Sequence, residues 1–232
     1  WIETIDVELF EFFNGMHSPL ADGFWWAVSD TISWLPFFLA IIFTIIANKD
    51  RESILIIIAL AITILLCDQF SVLFKEVVER LRPSRDPSLM YQIHIVNGYR
   101  GGLYSFVSSH AANTFGVAMF FSLIVRNFRF NALIFIWAIL NGYSRIYLGV
   151  HFPFDVLAGA ALGMFLGWIS YKGFNFLRYS IPAFSSISSE RSLSNYTNSG
   201  FKKLHINNIW GVFCITLFYF VLISGYIHEF MP

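Results

Sequence analysis

Three short stretches of this chain carry side chains able to do chemistry. Lys75 is followed by Arg82-Pro83; Ser108-Ser109-His110 opens an apolar run; and Ser144-Arg145 leads to His151, with Asp155 four residues further on. A carboxylate four positions from a histidine can hold one ring nitrogen protonated and leave the other to attack. Lys and Arg grip phosphate-like anions through charge-assisted hydrogen bonds. Ser108 or Ser109 suits a helix N-cap, where unpaired amides and the helix dipole attract an anion, and His110 would follow in the first turn. Alone, each stretch has an ordinary explanation: a snorkelling helix end, a capped helix with an incidental histidine, a structural His–Asp pair. Together they supply a lysine, two arginines, two histidines, an aspartate and a helix start. A high-density anion such as phosphate would satisfy that set.

These residues need elements to bring them together, and the composition says which kind. Of 232 residues 56% are hydrophobic and 13% charged, with a mean hydropathy of +0.62, so the solvent is a bilayer and the fold class is an all-α, polytopic transmembrane bundle. About six segments approach the roughly 20 apolar residues that a crossing requires: 31–48, 53–74, 107–125, 130–148, 154–171 and 207–228. The first is expected to extend back through Trp25 and Trp26. Ahead of it, 1–30 reads as an amphipathic N-terminal segment, with Ile5, Leu9, Phe12 and Phe13 on one side of a helix. Such a helix either lies on the membrane or caps the bundle. Residues 31–172 then form the catalytic transmembrane core, 173–206 a polar connector rich in Ser and Asn, and 207–232 a last crossing helix.

Fifteen basic against fifteen acidic residues give no surplus of positive charge, which excludes a nucleic-acid partner. Cys67 and Cys214 lie in apolar runs and fit neither a disulfide framework nor a metal site. No basic stretch leading to a short apolar run and a cleavage site opens the chain at Trp1, so no cleaved leader is expected within it. Lys49 and Arg51, Arg126 and Arg129, and Lys172, Arg178, Arg191, Lys202 and Lys203 fall on one face of an alternating topology, expected to be cytoplasmic, although the charge rule orients the chain only weakly because the other face is basic too. The opposite face carries Arg80, Arg82, Arg85, Arg100 and Arg145, and with them all three chemistry-bearing stretches. Helical spacing puts Lys75, Glu79 and Arg82 on one stripe, with Pro83 ending the helix. Glu79 there would satisfy Lys75 and Arg82; Asp68 is a polar group at membrane depth; Arg85, His94, Tyr99, Arg100 and Tyr104 form a loop able to meet a headgroup.

The three stretches resemble the type 2 phosphatidic acid phosphatase superfamily, with its Lys-x6-Arg-Pro, Pro-Ser-Gly-His and Ser-Arg-x5-His-x3-Asp motifs. The first is complete from Lys75 to Pro83 and the third from Ser144 to Asp155, while the second keeps Ser108 and His110 but has Val107 for Pro and Ser109 for Gly. The resemblance implies that His151 attacks phosphorus, that Asp155 orients and charges it, and that His110 protonates the leaving group and then activates water. It also implies that Lys75, Arg82, Ser108, Ser109 and Arg145 bind the phosphoryl oxygens, with no metal and no cofactor. The expected partners are a membrane lipid phosphate and the bilayer, at the outer face of a bacterial inner membrane. Undecaprenyl diphosphate, phosphatidylglycerol phosphate and phosphatidic acid rank ahead of lipid A because the chain is small and has no soluble headgroup domain; phosphotransfer to another lipid is the other alternative.

Overall fold

The computed structural model describes residues 2–181 and 195–230; Ser185–Ser189 and Arg191 of the connector lie outside the described residues. The described residues form helices joined by turns and loops: α1 (Ile2–Asn14), α2 (Pro19–Ser29), α3 (Leu35–Lys49), α4 (Glu52–Val78), α5 (Ser109–Val125), α6 (Phe128–Tyr147), α7 (Pro153–Ser180) and α8 (Lys203–Phe230). α4, α7, α8 and the segment Ile32–Lys49 are long and apolar enough to cross a membrane, and α5 is a shorter apolar helix. The 20-residue α6 carries Asn141, Ser144 and Arg145, all buried, which lowers its apolarity without exposing it to lipid. Ile54, Ile58, Ile62, Leu65, Leu73 and Val77 of α4 are exposed, as are Ile215, Phe218 and Leu222 of α8. These faces are built to meet lipid.

The expected run of the first span back through Trp25 and Trp26 does not occur. Asp30 breaks it: its Oδ2 accepts from the Ser33 amide at 2.9 Å and the Ser33 hydroxyl at 2.7 Å, a local bond that competes with helix continuation. Trp25 and Trp26 therefore sit on the separate helix α2, which starts at the Ser18 N-cap and Pro19 and packs on α8. The helices are also longer around the connector than expected. Phe174, Phe176 and Leu177 keep α7 helical to Ser180, and α8 begins at Lys203. Between them Thr197 donates its amide to the Phe201 carbonyl at 2.8 Å, and Phe201 is fully buried.

α1 resolves the two roles foreseen for it by splitting its faces. Asp6, Phe10 and Asn14, spaced four apart, are buried against α6, α7 and the loop around His94, so the helix caps the bundle. Leu9 and Phe12 on the other side remain exposed, which suits a membrane boundary.

α5 lies among α4, α6 and α7, and its contact with α7 is the most extensive between any two helices described. Gly159, Gly163 and Gly167 form a stripe at intervals of four on α7 that faces α5. A Cβ on Gly163 would collide with the Ala112 carbonyl, and one on Gly159 would lie 2.5 Å from the Ser108 carbonyl. Lipid is as apolar as a side chain, so such close backbone approach is what holds membrane helices together. Gly163→Ala is expected to destabilise the protein by about 1–3 kcal/mol through overpacking, read as a lower unfolding temperature in detergent; an unchanged midpoint would show that the α5–α7 seam is looser than described.

Candidate active site

Four helix ends meet where the site forms: the C-termini of α4 and α6 and the N-termini of α5 and α7. α4 stops at Val78, five residues before the expected proline, because Glu79 adopts a left-handed conformation (φ 52°). Lys75, Glu79 and Arg82 therefore do not share a helical stripe. Glu79 is exposed and lies beside Tyr104, with no ion pair to either cation among the described residues. Arg82 reaches the site on an extended segment instead: its amide donates to the Leu103 carbonyl at 3.1 Å, and the Ser105 amide donates to the Arg80 carbonyl at 2.8 Å. Its Nε donates to the Tyr104 carbonyl at 3.1 Å and Nη1 to that of Val150 at 3.4 Å. Gly101, at φ +62°, gives Arg82 room, since a Cβ there would stand 2.6 Å from Nη1.

Ser108 is the N-cap of α5. Its Oγ accepts from the Ala111 amide at 3.4 Å and its own amide donates to the Asp155 carbonyl at 3.0 Å. Capping leaves the first-turn amides of Ser109 and His110 for other acceptors. Ser109, in the place where glycine is usual, accepts at Oγ from Lys75 Nζ and, at 2.7 Å, from the Ser71 hydroxyl. The substitution thus gives the lysine an anchor. Arg145, on the last turn of α6, donates to the Ser29 hydroxyl and, at 3.3 Å, to the Tyr99 phenol oxygen. Burial would raise the Tyr99 phenol, but Arg145 and then Arg82 bring it below its ordinary value.

His151 sits in the turn between α6 and α7, only 2% exposed, and its Nδ1 stands 3.6 Å from Asp155 Oδ2. Asp155 is fully buried. Its Oδ2 also accepts from the Phe152 amide at 2.9 Å, closing the first turn of α7, and its Oδ1 accepts from Arg80 at 3.0 Å. Burial, then Arg82, Arg145 and Lys75, hold the His151 imidazole well below the usual histidine range. The ring is therefore neutral at pH 7, as a nucleophile must be. Burial and Arg145 also lower Arg82, to about 10, which still leaves it charged.

All eight residues singled out by type and spacing are brought to this end of the bundle. Among the buried polar atoms without a hydrogen bond are His110 Nε2 and Arg145 Nε. Buried polar groups are expensive to leave unpaired, so these two have the capacity to bond a ligand, whereas His151 Nδ1, also without a hydrogen bond, faces the Asp155 carboxylate. The sequence reading missed Ser29, Asn141, Asp6 and the part played by Arg80. Asn141 lies beside the His110 side chain and stands four residues before Arg145 on the same buried face of α6, a spacing that could have flagged it. The loop group divides: Tyr99 touches Arg145, Arg85 and Arg100 bind the loop's own carbonyls at Gly101 and Ser84, and His94 pairs with Asp22. Among the described residues no cluster of three or more His, Cys, Asp or Glu is arranged to hold a metal ion.

The neutral His151 has a measurable consequence. Below about pH 6.5, the ordinary value of a histidine, the unfolded imidazole takes up a proton that the folded one refuses, so stability falls as pH drops. His151→Gln is expected to flatten that part of the dependence. Parallel unfolding curves for the two proteins between pH 7.5 and 5 would contradict it.

The sequence profile of the PAP2 superfamily matches residues 52–179. A lipid A 4′-phosphatase of Bacteroides thetaiotaomicron is 39% identical over 174 residues, 74% of this chain and 77% of the relative. A second lipid A 4′-phosphatase, from Porphyromonas gingivalis, is 37% identical over 180 residues, 77% of this chain and 76% of the relative. Among solved structures, Aquifex aeolicus LpxE superposes with a TM-score of 0.56 at 28% identity, covering 72% of this chain and 94% of that one. A phosphatidylglycerolphosphate phosphatase of PAP2 type from Bacillus subtilis gives 0.53 at 25% identity, covering 76% and 87%. With the motifs gathered at one site and more than half of the chain matched, the protein belongs to the PAP2 superfamily and is a membrane-spanning lipid phosphate phosphatase.

Proposed function

We propose that this protein removes a phosphate from lipid A at the outer face of a bacterial inner membrane, through a phosphohistidine on His151. The observation that carries the chemistry is the gathering of Lys75, Arg82 and Arg145 around a buried, neutral His151 backed by Asp155. Both relatives matched over three quarters of their length act, by name, on lipid A. Matches to an undecaprenyl-diphosphatase and a phosphatidylglycerophosphatase of Bacillus subtilis span only 32% and 44% of this chain. That contrast favours lipid A over the isoprenoid and glycerolipid substrates that small size suggested. The basic loops at Lys49 and Arg51, Arg126 and Arg129, and Lys202 and Lys203 lie at the opposite end from the site, an arrangement that supports a site facing outward.

In this reading Asp155 holds the proton on His151 Nδ1, and Nε2 attacks phosphorus. The bond from phosphorus to the sugar oxygen breaks as the P–N bond forms, and His110 gives that oxygen a proton. Phosphoryl transfer asks chiefly for positioning and fixed positive charge around the equatorial oxygens. Lys75, Arg82, Arg145 and the α5 amides supply it, and the incoming phosphate's negative charge makes a protonated His110 tolerable among these cations. A water molecule then attacks phosphorus; His110 takes its proton, the P–N bond breaks, and inorganic phosphate leaves.

Purified protein in detergent is expected to release inorganic phosphate from lipid A faster than from undecaprenyl diphosphate, phosphatidylglycerol phosphate or phosphatidic acid, unchanged by excess chelator. His151→Ala should lower turnover by at least roughly 10⁴-fold and Arg145→Lys by about 100-fold. Preference for another lipid of the panel would overturn the substrate, chelator sensitivity the metal-free chemistry, and phosphate found on an acceptor lipid the hydrolytic outcome.

A further inference from the structure

The second oxygen of Asp155 is engaged by Arg80, which stands at one of the unspecified positions of the first motif. Arg80 Nη1 donates to Asp155 Oδ1 at 3.0 Å and to Asp6 Oδ2, on α1, at 2.7 Å. The guanidinium lies 3.9 Å over the centre of the Phe152 ring, next in sequence to His151. Asp6 also accepts from the Phe154 amide at 2.8 Å, so it caps α7 from another helix while touching Arg80. Asp6 and Asp155 are buried to 1% and 0% exposure. Two carboxylates thus share one guanidinium, and the trio keeps one net negative charge in a place where charge is costly.

We propose that Arg80 and Asp6 are positioning residues that set how much negative charge Asp155 presents to His151, so that α1 is part of the catalytic apparatus. The proposal rests on His151 being the nucleophile. Asp155 has one oxygen toward Nδ1 and the other toward Arg80. Arg80 acting on Asp155 alone would make a closed ion pair with little charge left for the imidazole. Asp6 draws on the same Nη1 and prevents that closure. With Arg80 removed instead, two buried carboxylates near each other and near the α7 N-terminus would tend to share a proton, and Asp155 would again present less charge. The native arrangement lies between these extremes. A cap serving only to hold α1 in place would need no such shared donor, since Phe10 and Asn14 already fasten the helix.

The test is a double-mutant cycle with Asp6→Asn and Arg80→Gln in the full-length protein, reading kcat, KM and unfolding temperature for release of inorganic phosphate from lipid A. Asp6→Asn keeps an acceptor for the Phe154 amide and changes only the charge. Each single variant is expected to lower kcat at least tenfold with KM within about twofold of the parent. The double variant restores the trio's net charge of minus one, and its kcat is expected to rise above that of both single variants. A merely structural role would give the opposite order, with the double variant lowest in unfolding temperature and no faster than the singles. That result, or single variants with parental kcat, overturns the proposal. His151→Ala is run alongside: if it keeps activity, the nucleophile assignment itself has failed, whatever the cycle shows.

Discussion

Lys75, Arg82 and Arg145 are held close enough together to act jointly on one buried imidazole, and what keeps them there is neutral. Lys75 bonds to the Ser109 hydroxyl, Arg82 to the Tyr104 and Val150 carbonyls, Arg145 to the hydroxyl of Ser29 and the phenol of Tyr99. The two fully buried carboxylates of this end, Asp6 and Asp155, are paired with Arg80 instead. Dipoles orient a cation without cancelling its charge, whereas a salt bridge would spend that charge before any ligand arrived. Close like charges repel by a few kcal/mol at the effective dielectric of a protein, so the cluster persists only because the surrounding fold is rigid.

That rigidity comes from the helices behind the site. The glycine stripe of α7 lets it lie against the backbone of α5, which fixes Ser108 and His110 relative to His151 and Asp155. The Ser108 amide donating to the Asp155 carbonyl joins the two helix starts directly. Farther down, Trp34, Phe37, Phe120, Phe121, Phe213 and Phe220 fill a core that ties α3 and α8 to the same bundle. At the far end Glu52 bridges to Arg178 at 3.0 Å and lies 3.9 Å from Lys49. The candidate site therefore lies at one end of the packed bundle, and its loops are positioned by interior helix contacts.

Ser109 shows how a departure from a family pattern can be absorbed. Glycine at a helix start frees the backbone to approach an anion. Serine there keeps the amide and adds a hydroxyl, and the structure uses that hydroxyl to bond both Lys75 and Ser71 across to α4. The change therefore strengthens the link between two of the motifs.

Residue type and spacing determined the membrane class and the helical content and singled out the eight candidate residues, because each depends on local information: hydropathy over a helix length, or a fixed number of residues within one turn. The end of α4 was misjudged for the same reason. Local rules see Pro83 as the breaker, while the chain leaves the helix at the left-handed Glu79 and two residues later Leu81 bridges to Tyr104, distant in sequence. Only the tertiary structure decided that Arg80 faces Asp155, that the buried side of α1 is Asp6, Phe10 and Asn14, and that Ser29 and Tyr99 support Arg145. Those contacts join residues from 46 to 116 positions apart. Nothing in the period of one helix specifies which side of it a second helix will cover.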